Sequence, residues 1–144
     1  MTQDLLGLGG KHAIVWGGGF GMGERTSIRL AEAGAHVTVI DLEQARAGKI
    51  AGEINASGGK AIALQADATS EASVEAAHAA AEAALGPLDA MATVIGLGVW
   101  DQVVDMSLEK FNQSILLNLT SFFLPARAAG RSLIMGLMAR LRAG

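Results

Sequence analysis

Short apolar runs alternate with longer stretches of helical spacing along this chain, and that alternation limits it to one class of fold. Ala13–Trp16 is an apolar run of strand length that ends in the glycine cluster Gly17-Gly18-Gly19-Phe20-Gly21-Met22-Gly23. A helical stretch carrying Ile28, Leu30 and Ala31 follows, with Gly34 as its stop. His36–Ile40 is short and β-branched and reads as a second strand. From Leu42 to about Asn55, the residues Ala47, Ile50, Ala51 and Ile54 fall on one helical face, which Ser57-Gly58-Gly59 breaks. Ala61–Leu64 is a third strand. Ser70–Leu85 is an alanine-rich helix with Thr69 or Ser70 as N-cap and Gly86-Pro87 at its end. Leu88–Ile95 is a fourth strand, and a glycine-containing loop then leads to Ser107, another N-cap. Beyond it the chain is helical to near Leu141, with one proline at position 125.

Strands and helices in this rhythm build right-handed βαβ units, hence an α/β fold with a parallel sheet and helices on both faces. Nearly continuous apolar strands agree, because parallel strands are covered on both sides. No composition shift divides the 144 residues, so one domain over 1–144 is expected. Hydrophobic residues make up 51% and charged ones 17%, which excludes a disordered chain. A net charge of -3 argues against a nucleic-acid partner, which would require a basic face. Without cysteine there is no disulfide, no zinc–thiolate site and no thiol nucleophile, so a cytoplasmic setting is expected. Met1–Gly10 carries Asp4 and no cation, unlike a signal peptide. The most apolar stretch, Ile115–Ala126, is interrupted by Asn118, Thr120 and Ser121 and falls short of a membrane span.

The glycine cluster follows a strand and opens a helix. Gly17, Gly21 and Gly23 fit the spacing G-x-x-x-G-x-G. Backbone without Cβ lets a pyrophosphate approach the free N–H groups and positive dipole of a helix N-terminus. G-x-G-x-x-G has no frame, since Met22, Glu24 and Thr26 stand where its third glycine belongs. A P-loop fails because Glu24-Arg25 replaces its Lys-Ser/Thr pair. Asp41 ends the second strand, 18 residues after Gly23, where a carboxylate accepts hydrogen bonds from the adenosine ribose hydroxyls. It repels a 2′-phosphate, and Leu42 offers no compensating cation, so NAD is expected over NADP. The alternative for Asp41 is a cap on the next helix. Asp67 follows the third strand, either near an adenine edge or as a helix cap.

With these features in order, the chain resembles the short-chain dehydrogenase/reductase family. The resemblance rests on Gly10-Lys11, the glycines at 17, 21 and 23, Asp41, Asp67-Ala68-Thr69, Gly86-Pro87-Leu88-Asp89, Ser107–Phe111 and Asn118-Leu119, from about Leu8 to Arg131. It implies a Rossmann-type sheet, with four strands in the order 3-2-1-4, binding a nicotinamide cofactor at the strand C-termini. Gly17, Gly21 and Gly23 would border the pyrophosphate, Asp41 the ribose, and Asp67 and Ala68 the adenine. Gly19, Phe20, Met22, Leu42, Ile95 and Gly96 complete the cofactor-binding candidates. Asn118 matches the asparagine of the family's catalytic Asn-Ser-Tyr-Lys set; the other reading is a polar residue satisfying helix backbone.

Three departures bear on activity. Trp16 stands where the family usually has Thr, and Thr93-Val94-Ile95-Gly96 replaces Asn-Asn-Ala-Gly; the two segments are expected to meet. The family's Ser and Tyr-x-x-x-Lys lie beyond a fifth strand, so the domain over 1–144 is expected to be incomplete at its C-terminus, truncated or altered before that segment, and this chain contains no tyrosine. A general acid/base must reach the substrate oxygen, and neither Lys110 nor His12, His36 or His78 inherits that place; no metal-ligand spacing exists either. The expectation is the NAD-binding portion of an oxidoreductase, inactive as it stands, taking a small-molecule substrate only with the catalytic segment supplied. The alternative is a non-enzymatic dinucleotide-binding or protein-interaction module. Its motivation is the segment in which Arg127, Arg131, Arg140 and Arg142 punctuate Leu133, Ile134, Met135, Leu137, Met138 and Leu141; the same segment also suits a helix packing within its own domain. An open edge at the fourth strand predicts self-association.

Overall fold

The computed structural model describes Asp4 and residues 6–143, apart from the side chains of residues 140 and 143. Part of the Met1–Gly10 reading, and Arg140 as a basic side chain, therefore lie outside the described residues. The elements run β1 (His12–Trp16), α1 (Gly21–Glu32), β2 (His36–Asp41), α2 (Gln44–Ala56), β3 (Lys60–Gln65), α3 (Glu71–Leu85) and β4 (Ala90–Thr93). Then come α4 (Leu108–Ile115), a π-helical turn (Leu116–Thr120) and α5 (Ser121–Ala143). The four strands form one parallel sheet in the order β3-β2-β1-β4, as expected.

The period-two alternation of the strands sorts their side chains between two cores. Ala13, Val15, Val37 and Val39 face α1 and α2, where Ala47, Ile50, Ala51 and Ile54 form the expected buried stripe. Ile14, Trp16 and Ile40 face the other way, against Val74, Ala77 and Ala81 of α3 and Leu124, Ala128 and Ala129 of α5. Helix ends follow local chemistry. Gly34, at φ 93°, turns the chain after α1, and Gly86, at φ 88°, ends α3. Ser70, rather than Thr69, caps α3 by accepting from the Ser73 N–H, and Ser107 caps α4 by accepting from the Lys110 N–H.

β1, β2 and β3 extend one residue beyond the expected spans at one or both ends, and larger differences lie elsewhere. α2 starts at Gln44 because Asp41, bonded to the Gly19 N–H, also accepts from the Glu43 N–H and closes a turn ahead of the helix. β4 spans Ala90–Thr93 instead of Leu88–Ile95 because it pairs with β1 alone, and β1 turns away at Gly17, where φ is 72°. Asp89 instead joins the strand to the start of β1, its N–H donating to the His12 carbonyl and its carboxylate accepting from the His12 N–H. The last helical stretch is interrupted by the π turn. β1 is buried throughout and β2 at every residue but His36, whereas β3 and β4, at the sheet edges, are mostly only partly buried.

The first half of α5 is part of the domain. Leu124, Ala128 and Ala129 are buried, and Arg127 and Arg131 pair with Glu71 and Glu75 of α3. Two of the four arginines that motivate the interaction-module alternative are thus matched by carboxylates within the domain. Among the described residues no helix is long and apolar enough to cross a membrane.

Candidate dinucleotide site

All four strands point their C-termini at one cleft of about 250 Å³. Its floor and walls come from the ends of β1 (Trp16, Gly17), β2 (Asp41, Leu42) and β3 (Ala66–Thr69), and from Val94–Gly96 after β4. Phe20 closes it from the glycine loop, and Leu117 and Ser121 from the helices after Ser107. Of the sequence candidates, Gly17, Phe20, Asp41, Leu42, Asp67, Ala68, Ile95 and Gly96 line this cleft. Gly19, Gly21, Met22 and Gly23 sit beside it in the loop and first turn of α1.

The loop is packed too tightly for side chains. A Cβ on Gly17 would come within 2.7 Å of the Val94 carbonyl oxygen, and one on Gly23 would fall on the Gly17 carbonyl. A Cβ on Gly19 would meet both Asp41 Oδ2 and the Arg46 Cβ at 2.8 Å. Gly21 has open space around it, and its φ of 57° is what favours glycine there. Phe20 and Met22 are exposed at the rim.

Asp41 is buried and does two jobs that residue spacing leaves invisible. Its Oδ2 accepts from the Gly19 N–H at 3.1 Å, and its Oδ1 accepts from the Glu43 N–H at 3.1 Å. The carboxylate thus fastens the glycine loop to the end of β2 and shapes the turn into α2, whose N-cap is Glu43. A carboxylate has about four lone-pair positions, so acceptor capacity remains for a ligand hydroxyl. A cation also stands at this corner, supplied one turn into α2: the Arg46 guanidinium lies over the Phe20 ring and pairs with Glu43. Asp67 closes its own turn, Oδ1 accepting from both the N–H and the hydroxyl of Thr69, at 2.8 and 2.7 Å. Its backbone N–H donates to Ser73 Oγ at 2.9 Å, so the residue organises the approach to α3.

Trp16 and Thr93–Gly96 do meet. Trp16 is in register with Thr93, and the Val94 N–H donates to the Trp16 carbonyl at 2.8 Å. The indole is buried beneath the cleft, stacked on His78 with ring centres 5.9 Å apart, its N–H donating to His78 Nε2 at 3.4 Å. That leaves the proton of a neutral His78 on Nδ1, which has no partner among the described residues. His12 is buried too. Its Nδ1 donates to the Gly86 carbonyl at 2.8 Å, and Nε2 accepts from the Thr38 hydroxyl at 2.9 Å. Burial is the first cause holding both histidines below their ordinary value near 6.5, opposed by Glu82 with Asp89 for His12 and by Glu82 with Glu75 for His78. Both serve packing rather than proton transfer at the cleft, and no metal-binding cluster exists among the described residues.

Asn118 lies on the π turn, next to Leu117 but outside the cleft lining. Its Oδ1 accepts from the Leu97 N–H at 3.1 Å, and its Nδ2 donates to the carbonyls of Leu97 and Ser114, both at 2.9 Å. The amide therefore clamps the loop after β4 onto the helix. Trp16, Ala66, Thr69, Val94, Leu117 and Ser121 also line the cleft and were not among the sequence candidates for it. The first four adjoin recognised motifs, whereas Leu117 and Ser121 enter only through helix packing and carry no local signal.

The chain matches the short chain dehydrogenase family over residues 11–140. It belongs to that family. It is 36% identical over 122 residues to the 2,5-dichloro-2,5-cyclohexadiene-1,4-diol dehydrogenase LinX of Sphingobium indicum, covering 85% of this chain and 49% of that protein. It is 38% identical over 122 residues to the 7alpha-hydroxysteroid dehydrogenase of Escherichia coli, covering 85% of this chain and 48% of that protein. Among solved structures, a 7alpha-hydroxysteroid dehydrogenase complexed with NADH and 7-oxo glycochenodeoxycholic acid superposes with a TM-score of 0.83 at 34% identity. That match covers 92% of this chain and 52% of that one. The chain spans about half the length of the curated relatives it matches. The chain is thus a short chain dehydrogenase family member with a structural neighbour that is complexed with NADH.

Proposed function

We propose that residues 1–144 form the dinucleotide-binding domain of a short chain dehydrogenase, holding NAD in preference to NADP. The observation that carries this reading is the Gly19 N–H bonded to buried Asp41 at the cleft mouth, which couples a Cβ-free loop to a carboxylate. The fit is steric as well as electrostatic: side chains at Gly17, Gly19 or Gly23 would fill the cradle or displace the loop. Gly17, Gly19, Phe20, Gly21, Met22 and Gly23 border the pyrophosphate, whose charge suits the N-terminus of α1. Asp41 with Leu42 receives the adenosine ribose. Asp67 with Ala68 borders the adenine, while Ile95 and Gly96 extend the wall beyond the pyrophosphate. When bound, the nicotinamide supplies hydride transfer between an alcohol and a carbonyl compound.

This chain's own residues bind and orient, and none delivers a proton at the reacting centre. His12 and His78 are engaged elsewhere, and Asn118 holds the loop through its side-chain amide. The substrate is a small molecule that requires the family's Ser and Tyr-x-x-x-Lys segment to react. Composition without cysteine supports a cytoplasmic setting. Calorimetric titration with NAD and NADP tests the reading: NAD binding the more tightly is expected, and equal affinity for the two removes the role given to Asp41. NAD-dependent alcohol oxidation by the purified 144-residue chain would overturn the inactive assignment.

Self-association is proposed on two grounds. β4 is bonded to β1 on one side, and among the described residues no strand pairs with its other side. Trp100, Val103, Phe111 and Leu119 also expose apolar surface on the loop and helices that follow it.

A further inference from the structure

Glu43 is the N-cap of α2, yet its side chain makes no cap bond to the first backbone N–H groups of the helix. Caps favour Ser, Thr, Asp or Asn because a short oxygen-bearing side chain reaches those groups. The Glu43 carboxylate is instead turned to the side chain of Arg46, within α2. Its carboxylate lies 2.8 Å from the Arg46 guanidinium, and both side chains are about half-exposed. The same guanidinium sits 5.2 Å from the centre of the Phe20 ring, and Phe20 is a wall of the cleft. Arg46 is also packed on the loop, since its Cβ is among the atoms that a side chain at Gly19 would strike, with Asp41 Oδ2 and the Ala47 backbone nitrogen. An arginine therefore stands at the ribose end of the cleft, restrained by an aromatic face and a carboxylate.

The geometry points to Glu43 as a positioning residue for cofactor choice: by pairing with Arg46 and holding it on Phe20, it denies a 2′-phosphate its counter-charge. The inference rests on the reading of this cleft as a dinucleotide site. Asp41 and Glu43 bring two carboxylates to this corner and Arg46 one guanidinium, paired with Glu43, so the local balance is negative and a phosphate monoester is repelled. Neutralising Glu43 makes the corner balanced. It also leaves a planar five-donor group, of the kind that binds phosphate oxygens in pairs, able to leave the ring. Asp41 then discriminates alone, through its own charge.

The experiment titrates the chain and its Glu43→Gln, Arg46→Gln and double variants with NAD and NADP at one low ionic strength. Adenosine 2′-phosphate and adenosine 5′-phosphate serve as fragment probes. Glu43→Gln is expected to tighten NADP and adenosine 2′-phosphate about three- to fivefold, the scale of an exposed ion pair. NAD and adenosine 5′-phosphate should stay within about twofold, and thermal unfolding should be unchanged because no cap bond is lost. The double variant should lose the gain. A gain that persists without Arg46, or an unchanged NAD-to-NADP ratio in Glu43→Gln, overturns the role of Glu43 while leaving the dinucleotide site standing. Failure of the unaltered chain to bind either dinucleotide overturns that reading and this one together.

Discussion

At the scale of single residues, Gly23 and Gly21 show how two glycines of one motif are required for different reasons. A Cβ on Gly23 falls on the Gly17 carbonyl, so Gly23→Ala must move backbone. It is expected to cost more than about 2 kcal/mol and to abolish NAD binding. Gly21→Ala meets open space and bears only left-handed strain, a cost of about 1–2 kcal/mol. Urea unfolding of the two variants checks the order, and equal losses would count against the steric account of the loop. The buried histidines carry a pH prediction. In the unfolded chain both have values near 6.5, and in the fold burial lowers them. The unfolded chain then holds more protons below about pH 6.5. The stability from keeping His12 and His78 neutral is complete above that pH and declines as pH falls through it towards the depressed folded values. Unfolding free energies measured from pH 8 to pH 5 should fall over this interval, and a flat profile would contradict it. Asp41 was legible as a residue at a strand end followed by a helix. Its bond to Gly19 and the placing of Arg46 were not, because both depend on how two loops fold against each other.

At the scale of elements, α2 is the clearest case of pattern becoming structure. Ala47, Ile50, Ala51 and Ile54 recur at helical spacing and are buried together on the sheet. Ile50→Ala is expected to destabilise by about 2–5 kcal/mol through lost burial and a residual cavity. Lys49→Ala, beside it on the solvent face, removes only an exposed pair with Glu53 and should change stability by less than about 1 kcal/mol. Comparable losses in denaturant midpoints for the two would sink the assignment of the inner face. β4 was the poorest reading. Its apolar run extends from Leu88 to Ile95, but a strand lasts only as long as its partner stays beside it. The π turn before α5 was equally hidden, since Leu116–Thr120 differs from its neighbours in hydrogen bonding rather than in composition.

At the scale of the whole molecule, the sheet runs from one half-exposed edge, β3, to another, β4, with β1 and β2 buried between. The edge at β4 and the apolar side chains after it make association the expected behaviour. Light scattering across a concentration series should show a mass that rises above that of one chain, while a monodisperse monomer at high concentration would refute the proposal. The same arrangement explains why the cleft exists at all. Parallel strands place all their C-termini on one side of the domain, so the loops after β1, β2, β3 and β4 converge there irrespective of their spacing in the chain.

Alternation of strand and helix was sufficient for the α/β class, and the ordered motifs from Gly10-Lys11 to Asn118-Leu119 carried the family resemblance that implied the sheet order. Each is a local pattern whose physical consequence, a period or a steric demand, is written in adjacent residues. Which groups satisfy one another across the molecule was decided by packing alone: Asp41 with Gly19, Trp16 with His78, Asn118 with Leu97, Arg127 with Glu71. Such pairings are set by distances between elements far apart in sequence, and only the folded arrangement brings those elements together.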